Sequence, residues 1–183
     1  MMPAIDPTAS WTISIALAVV FGASAAIKFA DFGEFHGAVA NYRSVPDGLT
    51  AIVAALVPSA EVAGAVGIMM PRSHDAAAAL LLILLAVFSA AIVVNLMRGR
   101  LHVDCGCFGP ALRQPLSWWL PMRNAILMMI AAVAILPTQV RPLTPLDVAT
   151  MLFGAATAVT LYAAANYILA NLPRLRALEI ADA

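Results

Sequence analysis

The two cysteines of the chain lie two positions apart, in the stretch Cys105-Gly106-Cys107. Cα atoms at that spacing lie within disulfide range, but the ring that closes is tight and departs from relaxed geometry. A strained disulfide is more easily reduced, and Gly106 permits the unusual backbone dihedrals that such a ring needs. The motif therefore predicts a disulfide that is made and broken repeatedly.

Three other interpretations of this motif stay open. The cysteines are inert small hydrophobic residues, or they form a permanent bridge in a membrane scaffold without catalytic activity. His102, Asp104 and the two thiols are also chemically plausible zinc or copper ligands. They are too crowded in sequence for the usual closed tetrahedral site, and paired CxxC knuckles are absent. We therefore predict a redox pair and no metal.

Several ionisable residues are candidates for tuning the thiols. Arg98 and His102 precede the cysteines, and Arg123 stands at the predicted start of the next helix. A nearby cation stabilises the thiolate and lowers the pKa of a thiol, and a helix N-terminus favours the thiolate through its dipole. Glu61 lies near the middle of a hydrophobic segment, where an ionisable side chain costs at least about 2.5 kcal/mol. Glu61 therefore needs a partner across helices or has a role in proton transfer.

Trp118 and Trp119 follow the cysteine stretch. Adjacent tryptophans at this position are typical of the aromatic belt at a membrane boundary. A stacking surface for a membrane quinone is the second interpretation.

Composition sets the class of protein. Of 183 residues, 63% are hydrophobic and 11% are charged, and the mean hydropathy is +0.93. These values exclude a soluble globular protein and indicate an integral membrane protein in contact with the lipid bilayer. The net charge is zero, and without a basic run nucleic acid is excluded as a partner.

Hydrophobic stretches predict an all-α membrane bundle of five transmembrane helices, forming a single domain over residues 1–183. The spans are expected at about 11–29, 49–70, 76–97, 123–136 and 146–170, with a redox loop at 98–121. Residues 31–47 predict an amphipathic helix in the interface after the first span. Lys28, at the end of that span, is predicted to snorkel to the headgroups. Two crossings separate the amphipathic helix from the cysteine loop, so both are expected on one side.

The side of the membrane is harder to predict. Most lysine and arginine residues fall in the loops on the cysteine side, so the positive-inside rule predicts a cytoplasmic motif. Disulfide chemistry, however, normally operates on the oxidising side. If the arginines serve the thiols, the charge count loses its force as a topology signal.

The chain resembles the MauE family of methylamine utilisation proteins, which is related to the DoxX-like membrane proteins. The matching residues run in order from about Ile15 to Asn171, and the Cys-Gly-Cys-Phe-Gly core is the most specific of them. The others are Lys28, Phe29, Asp31, Tyr42, Pro46, Glu61, Gly64, Asn95, Arg98, Gly99, Arg123 and Asn124.

The resemblance implies a multi-pass protein of the plasma (inner) membrane, with its cysteine loop on the extracytoplasmic side. It implies exchange of electrons with a thioredoxin-like partner, MauD, and maturation of a disulfide-containing client, the small subunit of methylamine dehydrogenase. The implied arrangement is similar to that of the DsbB and vitamin K epoxide reductase enzymes. Those enzymes use two cysteine pairs, whereas this chain has one, so an internal relay is excluded. The direction of electron flow stays open, and a membrane quinone is the expected acceptor.

Overall fold

The computed structural model describes residues 4–100 and 115–181, and these form six α-helices with no β-strand among them. The helices are α1 (Pro7–Ala30), α2 (Phe32–Tyr42), α3 (Thr50–Gly67), α4 (His74–Met97), α5 (Trp119–Ala134) and α6 (Pro145–Ala181). A short 3₁₀ turn, Asp47–Leu49, leads into α3. The all-helical class predicted from the sequence is confirmed.

Four of these helices are long and apolar enough to cross a membrane: α1, α3 with its preceding turn, α4, and α6 as far as Asn171. The helix α5 is apolar but shorter, at 16 residues. Large apolar side chains on the outside, such as Ile83, Val87 and Phe153, are exposed. An outer surface of this kind suits lipid contact and is rare on soluble monomers.

Contacts between neighbouring helices fix their directions. Gly64 of α3 packs against Leu81 of α4, close enough that a Cβ atom on Gly64 would lie 2.8 Å from Leu81 Cγ. Gly67, one turn later in α3, faces Ala77, one turn earlier in α4, so the two helices are antiparallel. The close approach requires glycine, because any larger side chain at position 64 would overlap Leu81.

The helix α6 runs parallel to α1. Thr8 Oγ1 donates to Asp147 Oδ1 at 3.1 Å near the start of both helices, and Gly154 packs against Thr12 one to two turns further along. The bundle consequently has two distinct ends. One carries α2, the end of α4 and the start of α5, and the other carries the starts of α1, α4 and α6.

The end where the chain begins is closed by an ion-pair network. Arg141 donates to Asp6 through Nε and Nη2 at 3.0 Å each and to Asp147 through Nη1 at 2.8 Å. The hydrogen bond from Arg141 lowers the pKa of Asp6 to about 2, with help from the backbone N–H of Thr8, and Asp147 and Asp6 together raise the pKa of Arg141. The N-terminus of α1 is thereby tied to the segment before α6.

Several helix ends differ from the sequence prediction. The first helix begins at Pro7 rather than at about residue 11, because Asp6 caps it by accepting from the Thr8 N–H at 2.8 Å. The helix α5 begins at Trp119, so residues 119–121 belong to it and not to the predicted loop 98–121. The helix α6 continues past Pro173 to Ala181, beyond the predicted end at about residue 170.

Candidate functional site

A buried polar cluster lies between α1, α3, α5 and α6, towards the bundle end that carries α2. It begins with an ion pair between Lys28 Nζ of α1 and Glu61 Oε1 of α3. Each of these two side chains is only 2% exposed. Ser24, one turn before Lys28, accepts from Lys28 Nζ at 2.9 Å and donates to Glu61 Oε1 at 3.2 Å.

The prediction that Lys28 snorkels to the headgroups is wrong. Its ammonium group lies over two aromatic rings, 5.0 Å from the centroid of Phe88 in α4 and 5.3 Å from that of Phe35 in α2. Cation–π contacts of this kind are attractive, and more so when the cation is desolvated. The side chain points inward because the Glu61 carboxylate compensates the positive charge of the ammonium group. Without that carboxylate, the ammonium would need solvation by water at the headgroups.

The second half of the cluster is centred on Arg123 of α5, which is 7% exposed. Its Nη1 donates to Asn166 Oδ1 of α6 at 2.7 Å, and its Nη2 donates to Asn124 Oδ1 at 3.2 Å. The guanidinium also lies 5.9 Å from the ring centroid of Tyr162. Arg123 thus links α5 to α6 and is held in one orientation by polar partners on two helices.

A cavity of about 40 Å³ joins the two halves. Its polar lining comes from Ser24, Lys28, Glu61, Arg123 and Asn124. Most of the surface that faces the cavity is apolar, and the cavity volume exceeds the roughly 10–15 Å³ that one water molecule needs. The cavity can therefore hold a water molecule beside two cations and a carboxylate.

The structure brings together only some of the predicted site residues. Glu61 and Arg123 line the same cavity. Arg98 is exposed at the C-terminal end of α4 and makes no described contact with the cluster. Cys105, Cys107 and His102 lie outside the described residues.

The two tryptophans differ in their surroundings. Trp118 is 64% exposed at the start of α5. Trp119 is partly buried, and its Nε1 is buried without a hydrogen-bond partner among the residues that the structure describes. Asn95 Oδ1, near the end of α4, is likewise buried with no hydrogen-bond partner in the described part of the chain. Asn95 lies near the end of α4 and Trp119 at the start of α5, the two helices that residues 101–114 connect.

Sequence analysis missed three members of the cluster: Ser24, Tyr162 and Asn166. Ser24 precedes Lys28 by one helical turn, and Asn166 is the one amide in the largely apolar predicted span 146–170. Polar residues inside membrane helices face the bundle interior and have partners there. That rule, applied to Asn166 as it was to Glu61, would have identified it.

Comparison with known proteins places the chain in a family. The family model described as methylamine utilisation protein MauE matches residues 6–137, which include α1 to α5 and the cysteine motif. This chain belongs to the MauE family. The resemblance based on the ordered motif residues is confirmed, and the match covers both halves of the polar cluster except Tyr162 and Asn166 of α6.

Curated MauE proteins match over most of their length. The chain is 40% identical to the methylamine utilization protein MauE of Paracoccus denitrificans over 166 residues, which are 90% of this chain and 89% of that protein. It is 39% identical to MauE of Paracoccus versutus over 92% of this chain and 90% of the relative. MauE of Methylorubrum extorquens is 33% identical over 69% of this chain and 68% of the relative. No solved structure matches the chain.

Proposed function

We propose that this MauE protein is a membrane thiol-disulfide oxidoreductase of the methylamine utilisation system. Its Cys105-Gly106-Cys107 pair exchanges electrons with an extracytoplasmic thioredoxin-like partner similar to MauD. That exchange supports disulfide formation in a secreted client such as the methylamine dehydrogenase small subunit. The observation that carries the proposal is the buried Lys28–Glu61 and Arg123 cluster, which lies at the bundle end where residues 101–114 join α4 to α5.

The exchange itself needs no cofactor. In the oxidising direction, a thiolate of the partner attacks one sulfur of the Cys105–Cys107 disulfide, and the other sulfur leaves as a thiolate. The partner's second thiolate then resolves the mixed disulfide, so the partner becomes oxidised and this pair carries two electrons and takes up two protons. Arg123, Arg98 and His102 are the groups that we assign to stabilising the leaving thiolate, and Glu61 is a more remote proton donor or acceptor.

Turnover requires an acceptor for the two electrons, and we propose a membrane quinone. The residues fit such a group, since the indole N–H of Trp119 is a buried donor without a described partner and Trp118 offers an exposed aromatic face beside it. A quinone supplies two-electron acceptance when bound. Trp119 would donate a hydrogen bond to such a group, and Trp118 would offer it an aromatic contact.

We further propose that α5 is a fifth membrane span within a single domain, in an arrangement similar to DsbB and vitamin K epoxide reductase. The first turns of α5 line the smaller cavity together with Lys28, at one end of the bundle. The last residue of α5 and the residues after it line a second cavity together with Pro7 and His74, at the other end. A helix of 16 residues is about 24 Å long, close to the roughly 30 Å of a hydrocarbon core. The protein then lies in the inner membrane, with α2 and the cysteine motif on the extracytoplasmic side.

Trapping of the mixed disulfide tests the proposed function. Cys105→Ser and Cys107→Ser each leave one thiol and no disulfide in this chain. The lone thiolate at the exchange position is expected to attack the disulfide of the oxidised partner and to accumulate a covalent complex, because this chain has no second thiol to release it. Non-reducing electrophoresis measures that complex, and the double Cys→Ser variant is the control that cannot form it. If the double variant oxidises the partner normally, the oxidoreductase role is wrong and a non-catalytic scaffold for the partner explains the motif better.

A further inference from the structure

A second cavity, of about 410 Å³, lies at the opposite end of the bundle from the polar cluster. It is enclosed by the first residues of α1 and α4 and by residues 134–138, where α5 ends. The volume falls within the roughly 300–1,000 Å³ of small-molecule sites in proteins. No residue of the polar cluster lines it, so the two cavities are separate.

The polar wall of this cavity is centred on His74. The ring of His74 is fixed on both sides, with Nε2 3.0 Å from Ser14 Oγ and Nδ1 3.1 Å from Asp75 Oδ1. Ser14 is fully buried, and Ser10, which also lines the cavity, is 5% exposed. The Asp75 side chain is 78% exposed. A carboxylate has about four lone-pair sites, so Asp75 can accept further hydrogen bonds while His74 holds it in place.

The lining contains one acidic side chain, and His74 is hydrogen-bonded to it. Asp75 is that acidic group, and the lining contains neither lysine nor arginine. Of the cations at this end of the bundle, Arg141 is already paired with Asp6 and Asp147, and Arg72 follows Pro71 in the turn before α4 without lining the cavity. A carboxylate attracts a cation, and the face of a tryptophan such as Trp11 adds a cation–π contact. The rest of the wall, including Pro71 and Leu136, is apolar, so the ligand has an apolar part as well.

We propose that this cavity binds the ammonium group of an ethanolamine phospholipid. The helix ends that form it are those of membrane-crossing helices, so the cavity lies at headgroup depth, where such a lipid carries its ammonium. Asp75 accepts hydrogen bonds from the ammonium, and Trp11 covers it. A free small amine such as methylammonium presents the same kind of charged ammonium group. The experiment below distinguishes the lipid from the free amine as the ligand.

Native mass spectrometry of the full-length protein in detergent measures lipid binding directly, with phosphatidylethanolamine or phosphatidylglycerol added. We expect one retained phosphatidylethanolamine, with the affinity lowered about two- to fivefold in Asp75→Asn and about two- to fivefold in Trp11→Leu. Asp47→Asn is the matched control, because Asp47 is an exposed acid at the other end of the bundle. Circular dichroism confirms that each variant is folded, and Trp11→Leu carries the test if Asp75→Asn is not.

Two outcomes overturn the site. One is equal retention of both lipids, and the other is retention of phosphatidylethanolamine that is unchanged in the folded cavity variants. A competition arm with methylammonium chloride assigns the source. Submillimolar methylammonium could displace the lipid, or could bind to a protein that retains no lipid. If either effect is lost in Asp75→Asn, the cavity is an ammonium site whose ligand is a free amine.

Discussion

Replacing Lys28 by methionine tests the buried ion pair most sharply. The substitution keeps an unbranched side chain, one heavy atom shorter, and removes the cation that pairs with the Glu61 carboxylate, which is 2% exposed. It also removes the 2.9 Å hydrogen bond to Ser24 and the contacts with two aromatic rings. Breaking a buried pair by removing one partner costs about 3–5 kcal/mol. We expect a loss of this size in the free energy of unfolding.

Unfolding in mixed micelles, followed by circular dichroism, measures that loss. Arg98→Met is the matched control, since Arg98 is an exposed cation at the same end of the bundle, and such substitutions usually change stability by less than about 0.5 kcal/mol. The double variant Lys28→Met with Glu61→Leu should cost less than the sum of the two single variants, because no charge is then stranded. A cost for Lys28→Met below about 1 kcal/mol, or strict additivity in the double variant, would refute the reasoning.

Three further predictions concern packing, pH and the second half of the cluster. Gly64→Ala should lower the free energy of unfolding by about 1–3 kcal/mol through overpacking. Gly37→Ala should not lower it, because a Cβ atom at position 37 has no neighbouring atom within 4 Å. Equal effects of the two substitutions would contradict the close approach of α3 and α4. The folded-state pKa of Asp6, about 2, lies below its ordinary value of 3.8, so its contribution to stability is complete above about pH 4 and is lost as the pH falls through 2. The difference in melting temperature between the native chain and Asp6→Asn should therefore shrink from pH 5 to pH 2, and a constant difference would refute that assignment. Asn166→Ala removes an acceptor of a charged donor at 2.7 Å and should cost about 1.5–3 kcal/mol of unfolding free energy. Asn171→Ala, whose described hydrogen bond lies within its own helix, serves as the control in the same unfolding assay.

Much of the fold was predictable because hydropathy identifies membrane helices in a sequence. The third predicted span, 76–97, coincides with α4 almost throughout, since that helix contains alanine, leucine, isoleucine and valine and ends at Arg98. The start of α5 was harder to predict. Trp118 and Trp119 suggest a boundary on either side, and the sequence does not reveal that Trp119 to Pro121 already have helical geometry.

The candidate site was predictable residue by residue but not as pairs. Glu61 required a partner on physical grounds. Hydropathy does not distinguish Lys28, which is buried and paired, from a cation at a helix end that reaches the headgroups. Their pairing depends on the antiparallel approach of α1 and α3, which is a tertiary property. Asn166 lies far from Arg123 in the chain, and only the packing of α5 near α6 brings the two together.

The most direct test of the central claim is the labelling of Cys105 and Cys107 in intact cells with a membrane-impermeant maleimide, with and without prior reduction. The proposed function predicts that labelling from outside appears only after reduction, because the pair forms an extracytoplasmic disulfide. Labelling that appears only after cell lysis would place the motif in the cytoplasm and would contradict exchange with an exported thioredoxin-like partner.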